Sequence, residues 1–178
     1  VSGPEAAVEA LERELATEGV HCRRLHTSHA FHSSMMEPVV GAFAERVGGL
    51  RLSPPAIPFL SNLTGSWIRS SEATDPAYWA QHLRQTVRFS ENLDRMLAEP
   101  ARLLLEVGPG RALGTLAARH PAAGGREVVS SLSTPGRGKA ETASLLIALG
   151  RLWLAGLPVD WRGFYARESR RRIPAPTY

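Results

Sequence analysis

The chain runs to 178 residues, 43% hydrophobic and 21% charged, which is enough to bury a core of ordinary size. No stretch approaches the roughly 18 uninterrupted apolar residues of a membrane span, so no membrane partner is expected, and the single cysteine, Cys22, rules out a disulfide framework and suits a cytoplasmic protein. The formal charge of +4 would attract anions, but its excess lies late, in Arg167, Arg170, Arg171 and Arg172; with no nucleic-acid module beside it, this run reads as a solvated tail and no nucleic-acid partner is expected.

The opening Val1-Ser2-Gly3-Pro4 has no initiator methionine, basic region or apolar run, so the chain reads as cut from a longer polypeptide. Ser2 and Glu5 have the S-x-x-E spacing of a capping box, and Ala7, Val8, Leu11 and Leu15 continue at helical spacing to Gly19. A short strand is expected from about Cys22 to Leu25. Met36, Val39, Val40, Phe43 and Val47 then mark one face of a helix closed by Gly48-Gly49, which leaves the preceding histidines on a loop entering that helix. After Pro54-Pro55, the segment Ile57 to Leu60 predicts a short edge strand. Asp75-Pro76 supplies an N-cap and a first-turn proline for a helix over Tyr78 to about Leu83, and another short helix is expected from Ser90.

Leu103-Leu104-Leu105-Glu106-Val107, apolar but for Glu106, is a run suited to a buried strand, and Gly108-Pro109-Gly110 turns it into a helix from about Arg111 to Ala118. Strand, tight turn and helix in succession form the strongest α/β signal in the chain. The same turn invites comparison with a dinucleotide-binding loop. Gly114, however, is one place late for G-x-G-x-x-G, and the next candidate strand, Val128-Val129, ends in Ser130 rather than an acid, so a structural turn is expected. Ser133 to Gly138 reads as a further turn. Leu145, Leu146, Leu149, Leu152 and Trp153 mark an amphipathic helix closed by Gly156, and from Trp161 the chain is basic and proline-interrupted.

Ser28-His29-Ala30-Phe31-His32-Ser33, followed by Met36-Glu37-Pro38, is the stretch richest in chemistry. His26, His29 and His32 form an H-x₂-H-x₂-H run, but no carboxylate or cysteine ligand stands nearby and a period of three suits neither a strand nor a helical face, so no metal is expected. The stretch resembles the acyltransferase domains of modular and iterative polyketide synthases, and more distantly the malonyl-CoA:ACP transacylases of fatty acid synthesis. In that family a four-residue motif ending in the catalytic histidine reads His-Ala-Phe-His in malonyl-selecting domains and Tyr-Ala-Ser-His in methylmalonyl-selecting ones. His29 to His32 matches the first form at every position. Tyr78-Trp79, His82-Leu83-Arg84 and Val87-Arg88-Phe89 resemble the family's segment beneath the active site, Glu106 to Gly110 its late strand and turn, and Trp161 to Tyr178 the linker that follows the domain.

The resemblance implies a division of labour among these residues. His32 would be the base of a double-displacement acyl transfer, oriented by the backbone carbonyl of His82, while His29, Ala30 and Phe31 would set selectivity. Phe31 would crowd an added methyl, worth about 1–3 kcal/mol of discrimination. The family nucleophile lies in a G-x-S-x-G elbow, which is absent between Val1 and Tyr178, and the carboxylate-binding arginine and oxyanion-hole glutamine also belong to a preceding segment. The implied partners are therefore the N-terminal half of the acyltransferase, malonyl-CoA, an acyl carrier protein and a ketosynthase domain. No cofactor is implied, since the CoA thioester is a substrate and phosphopantetheine is carried by the partner.

The implied fold is α/β in three parts: residues 1–25 ending a small ferredoxin-like subdomain, 26–132 forming the C-terminal part of a hydrolase-like α/β acyltransferase core, and 133–178 a linker. A second reading makes the chain chiefly a scaffold, docking the acyltransferase to ketosynthase and carrier protein through that linker.

Overall fold

Pro4, with φ of −56°, sets the entry to the first helix of the computed structural model, α1 (Glu5–Thr17). Ser2 does not cap it: the N-cap is Pro4 and no side chain serves the free N–H groups. The structure describes residues 1–25, 27–133, 141–169 and 173–174 and divides into two units, Val1–Glu99 and Pro100–Tyr178.

In the first unit, Cys22 to Leu25 is irregular rather than a strand. A strand needs a neighbour for its N–H and C=O groups, and among the described residues none pairs with this segment. It runs instead beside α1, where the Arg24 guanidinium reaches Glu5 at 3.6 Å, Glu9 at 3.3 Å and Glu12 at 3.5 Å. Helix α2 (Glu37–Gly48) is entered through a 3-10 turn, Ser34–Met36, and of its expected apolar face only Met36 and Val47 are buried, with Val39 and Phe43 exposed.

The expected strand over Ile57 to Leu60 is also absent, reduced to a single antiparallel bridge between Leu60 and Trp67. Pro58 has no N–H to give a ladder. The turn that follows is pinned from within: fully buried Ser61 accepts from Leu63 N and Thr64 N, both at 3.1 Å, and from Tyr78 Oη at 2.7 Å. Tyr78 belongs to α4 (Pro76–Arg84), which follows the short α3 (Ser70–Ala73). The Asp75-Pro76 start works as expected, with Asp75 Oδ1 accepting from Ala77 N at 2.9 Å. Helix α5 (Phe89–Leu97) buries Leu93 and Leu97 and joins the turn through Asn92 Nδ2, which donates to Asn62 Oδ1 at 2.8 Å. Helices α2 and α4 pack together closely enough that a Cβ on Gly48 would lie 3.9 Å from Pro76 Cγ.

In the second unit β1 (Leu104–Glu106) pairs in parallel with β2 (Val128–Ser130), Leu105 opposite Val129, and α6 (Ala112–Arg119) lies between them in sequence. Helix α7 (Glu141–Leu154) sets Ala148 and Leu152 against Val129, and the short α8 (Trp161–Phe164) is capped by Asp160, whose Oδ1 accepts from Gly163 N at 2.9 Å. The fold is α/β, as the sequence indicates. The strand is not buried on both faces, however: Leu103, Leu105 and Val107 are 39%, 43% and 81% exposed. Of the expected turn from Ser133, residues 134–138 lie outside the described residues, as do 170–172 of the basic run and 175–178 of the tail.

The glycine-rich turn after β1 has an internal occupant for its helix end. Glu106 Oε1 accepts from Leu113 N at 3.1 Å and Oε2 from Gly114 N at 2.9 Å, so the first free N–H groups of α6 point at a carboxylate of the chain itself. That leaves no N-terminal anion site for a dinucleotide phosphate. Gly114 is required by this approach, because a Cβ there would stand 2.7 Å from Glu106 Oε2 and 3.3 Å from Val128 Cγ1. Gly114→Ala is expected to destabilise a complete domain by about 1–3 kcal/mol through overpacking, read as a lowered urea midpoint. An unchanged midpoint would mean that Glu106 does not sit at the helix end.

Candidate functional site

The loop from Ser28 to Ser33 is shaped by its own hydrogen bonds. Phe31 N donates to His29 O at 3.0 Å, and Ser33 Oγ donates to Ala30 O at 2.6 Å while accepting from Met35 N at 3.2 Å. Ser33 is thus committed to capping the 3-10 turn. His32, between these two bonds, has φ of +61°. A non-glycine residue in the left-handed region costs of order 1–3 kcal/mol and persists only where its surroundings over-determine it.

The surroundings are the carbonyl end of α4. His32 N donates to Leu83 O at 3.1 Å, and its ring Nδ1 lies 3.1 Å from Gln85 O. A carbonyl oxygen only accepts, so Nδ1 carries the proton, and in the neutral ring Nε2 is left with a free lone pair. The acceptor expected from the sequence was the carbonyl of His82. The structure places Gln85 there, because Gln85 is the C-cap, extended at ψ of 159°, and its carbonyl has left the helical ladder. His82 instead presents its ring to His32, centroids 6.0 Å apart and nearly perpendicular at 80°.

His29 and Phe31 face one another at 6.0 Å between ring centroids, and Phe31 is exposed; Ala30 lies between them, half-buried, holding Ser33 through its carbonyl. His29 Nδ1 is 3.0 Å from Ser28 Oγ, an adjacent and exposed pair. Beside Gln85 is an open depression of about 340 Å³ lined by Leu63, Gln81, Gln85, Thr86 and Arg88. Among the described residues no group of three or more His, Cys, Asp or Glu would hold a metal ion; His26 lies outside them.

Two features of this arrangement escape a reading of the sequence: the carbonyl of Gln85, and the pairing of Glu37 with Arg84, whose Nε–Oε2 distance is 2.6 Å across 47 positions. The clue to Gln85 was available in principle, since helix ends leave carbonyls without partners. Nothing in the sequence marks the ion pair.

The comparisons with known proteins agree among themselves. A family model described as the acyl transferase domain matches residues 1–131. The chain is 37% identical over 182 aligned positions to the spectinabilin polyketide synthase system protein NorB of Streptomyces orinoci, covering 100% of this chain and 8% of that protein. Among solved structures, the acyl transferase domain of ZmaA has a TM-score of 0.86 at 36% identity, over 98% of this chain and 40% of that one. The complex of a type II polyketide synthase acyl-carrier protein with its malonyl-transacylase gives a TM-score of 0.66 at 26% identity, over 84% of this chain and 45% of that one. The chain therefore spans a small part of the NorB synthase and two-fifths of the solved ZmaA domain.

The pKa of His82 is lowered, first by burial and then by the charge that His32 carries when protonated. Unfolded, an imidazole takes its proton at about 6.5. Between the folded and unfolded values the unfolded chain binds more protons, so stability rises with pH there and is lost as pH falls below about 6.5. His82→Gln removes this contribution. From about pH 7.5 to about pH 5.5 the parent's urea midpoint is expected to fall more steeply than the variant's; parallel slopes would mean that His82 is not held neutral.

Proposed function

The chain belongs to the acyl transferase domain family of polyketide synthases, and from that membership we propose that it supplies the histidine half of a Ser-His acyltransferase, moving a malonyl unit from CoA to the phosphopantetheine thiol of an acyl carrier protein. The observation that carries this reading is His32 itself, with Nδ1–H tied to the Gln85 carbonyl and Nε2 left as the basic atom. One imidazole serves both halves of the transfer. Nε2 takes the serine proton as the serine oxygen bonds to the thioester carbonyl, then returns it to the departing CoA sulfur. In the second half it takes the pantetheine thiol proton and returns it to the serine oxygen as the acyl–serine bond breaks. Each time the ring is charged, its positive charge sits against the carbonyl end of α4.

The serine and the oxyanion donors are assigned to the N-terminal half of the domain. The 40% coverage of the ZmaA domain supports this, as does the uncovered apolar surface of β1. His29, Ala30 and Phe31 are the selectivity residues. Malonyl choice and carrier-protein transfer draw support from the malonyl-transacylase complex among the structural neighbours. CoA is a substrate and no cofactor takes part. No helix among the described residues is long and apolar enough to cross a membrane, and a cytoplasmic setting is part of the proposal. So is the three-part organisation with boundaries after residues 25 and 132.

A docking role for the C-terminal part has its own support. Trp153, Trp161, Phe164 and Tyr165 form a surface ladder of rings, with Trp161 5.8 Å from Trp153 and 5.9 Å from Phe164 and Phe164 4.8 Å from Tyr165, more than a third of each residue exposed. Aromatic rings of this kind favour a protein partner, and the ketosynthase is the one proposed.

In a complete domain His32→Ala is expected to slow acyl-serine formation from malonyl-CoA by about 10²-fold or more; loading at the parental rate would exclude His32 as base. His29→Tyr with Phe31→Ser is expected to shift competition between malonyl- and methylmalonyl-CoA by about tenfold toward the latter. An unchanged ratio would place selectivity in the other half. The chain alone is expected to release no CoA above background, whereas co-expression with the preceding segment restores turnover.

A further inference from the structure

Arg84 is the last residue of α4, and the two residues on either side of it hold His32. Leu83 gives its carbonyl to the His32 backbone N–H and Gln85 gives its own to the ring. The side chain of Arg84 leaves the same spot and meets Glu37, the first residue of α2, with Nε 2.6 Å from Oε2. Between His32 and Glu37 the chain has only Ser33 and the one-turn 3-10 segment that Ser33 caps. A closed circuit results: His32 to the α4 carbonyls, through Arg84 to Glu37, and back along the 3-10 turn to His32.

We propose that the Glu37–Arg84 ion pair is a positioning device for His32, locking the start of α2 to the end of α4 so that the ring keeps its hold on Gln85. This rests on the reading of His32 as the catalytic base. The charges suit their places, a carboxylate at the N-terminus of α2 and a guanidinium at the C-terminus of α4. The side chains are 63% and 31% exposed, so the pair adds little to global stability and its removal leaves a folded domain. Its effect is local. His32 holds a left-handed backbone that relaxes once one side of the circuit opens, and a misplacement of about 1 Å is enough to slow a transfer step severely.

The test uses the complete acyltransferase domain, malonyl-CoA and rapid-quench measurement of acyl-serine, with four variants: Glu37→Gln, Arg84→Gln, the double variant and Arg84→Lys. Each single neutral variant is expected to lower kcat by about tenfold at unchanged KM and unchanged urea midpoint. The double variant should be no worse than either single one, and Arg84→Lys should recover part of the rate. The nitrogen-15 resonance of His32 Nδ1 should show loss of the hydrogen bond to Gln85 in the neutral variants alone. Parental rates, additive losses, or losses that follow the urea midpoint would each overturn the proposal. His32→Ala in the same assay separates the two claims. If it loads normally the base assignment fails; if it is inactive while the pair variants load normally, only the positioning role fails.

Discussion

A helix leaves its last carbonyl oxygens without N–H partners, and at the end of α4 two of those oxygens are met by one residue, His32. Each side of this contact lacks something the other supplies. The helix end needs donors; the imidazole needs an acceptor that fixes its tautomer. An uncharged carbonyl, that of Gln85, fulfils the second need. The rest of the first unit follows from keeping α4 in place: Ser61 is buried to receive Tyr78 Oη, Asp75 caps the opposite, N-terminal end, and α2 packs alongside.

Legibility from sequence followed locality. The start of α4 was readable because Asp75 and Pro76 act within one turn, and the succession of β1, turn and α6 was readable because periodicity, glycines and strand length agree. Cys22 to Leu25 and Ile57 to Leu60 misled for a common reason. Their composition suits a strand, but a strand is made by its neighbour: no described segment pairs with Cys22 to Leu25, and Ile57 to Leu60 keeps only the single bridge from Leu60 to Trp67. The histidine loop was identified by resemblance to a family, not by spacing, and its left-handed backbone at His32 leaves no mark in the sequence. His82 and Gln85 show the limit most clearly. They stand in the same final turn, and only the point where the chain leaves the helix decides whose carbonyl turns toward the ring.

The second unit shows the converse case, in which a local acid closes off an attractive alternative. A strand, a glycine turn and a helix present the geometry that phosphate-binding folds exploit. Here Glu106, from the strand itself, fills the helix end, and Gly114 is small because that carboxylate comes so close. The turn is thereby a joint between β1 and α6, and its glycines answer to backbone angles, with Gly108 at φ of +145° and Gly110 at +97°.

The positive φ of His32 carries a meaning for descent as well as for chemistry. Asn, Asp and His are enriched in the left-handed region, whereas β-branched side chains are outliers there. The loop thus screens substitutions at this position by backbone shape before any question of proton transfer arises. Substitution at position 32 meets two independent filters, and the amino acids that pass the first are a short list on which histidine already stands. Asparagine passes the first filter and fails the second, because its amide has no basic atom to take up a proton.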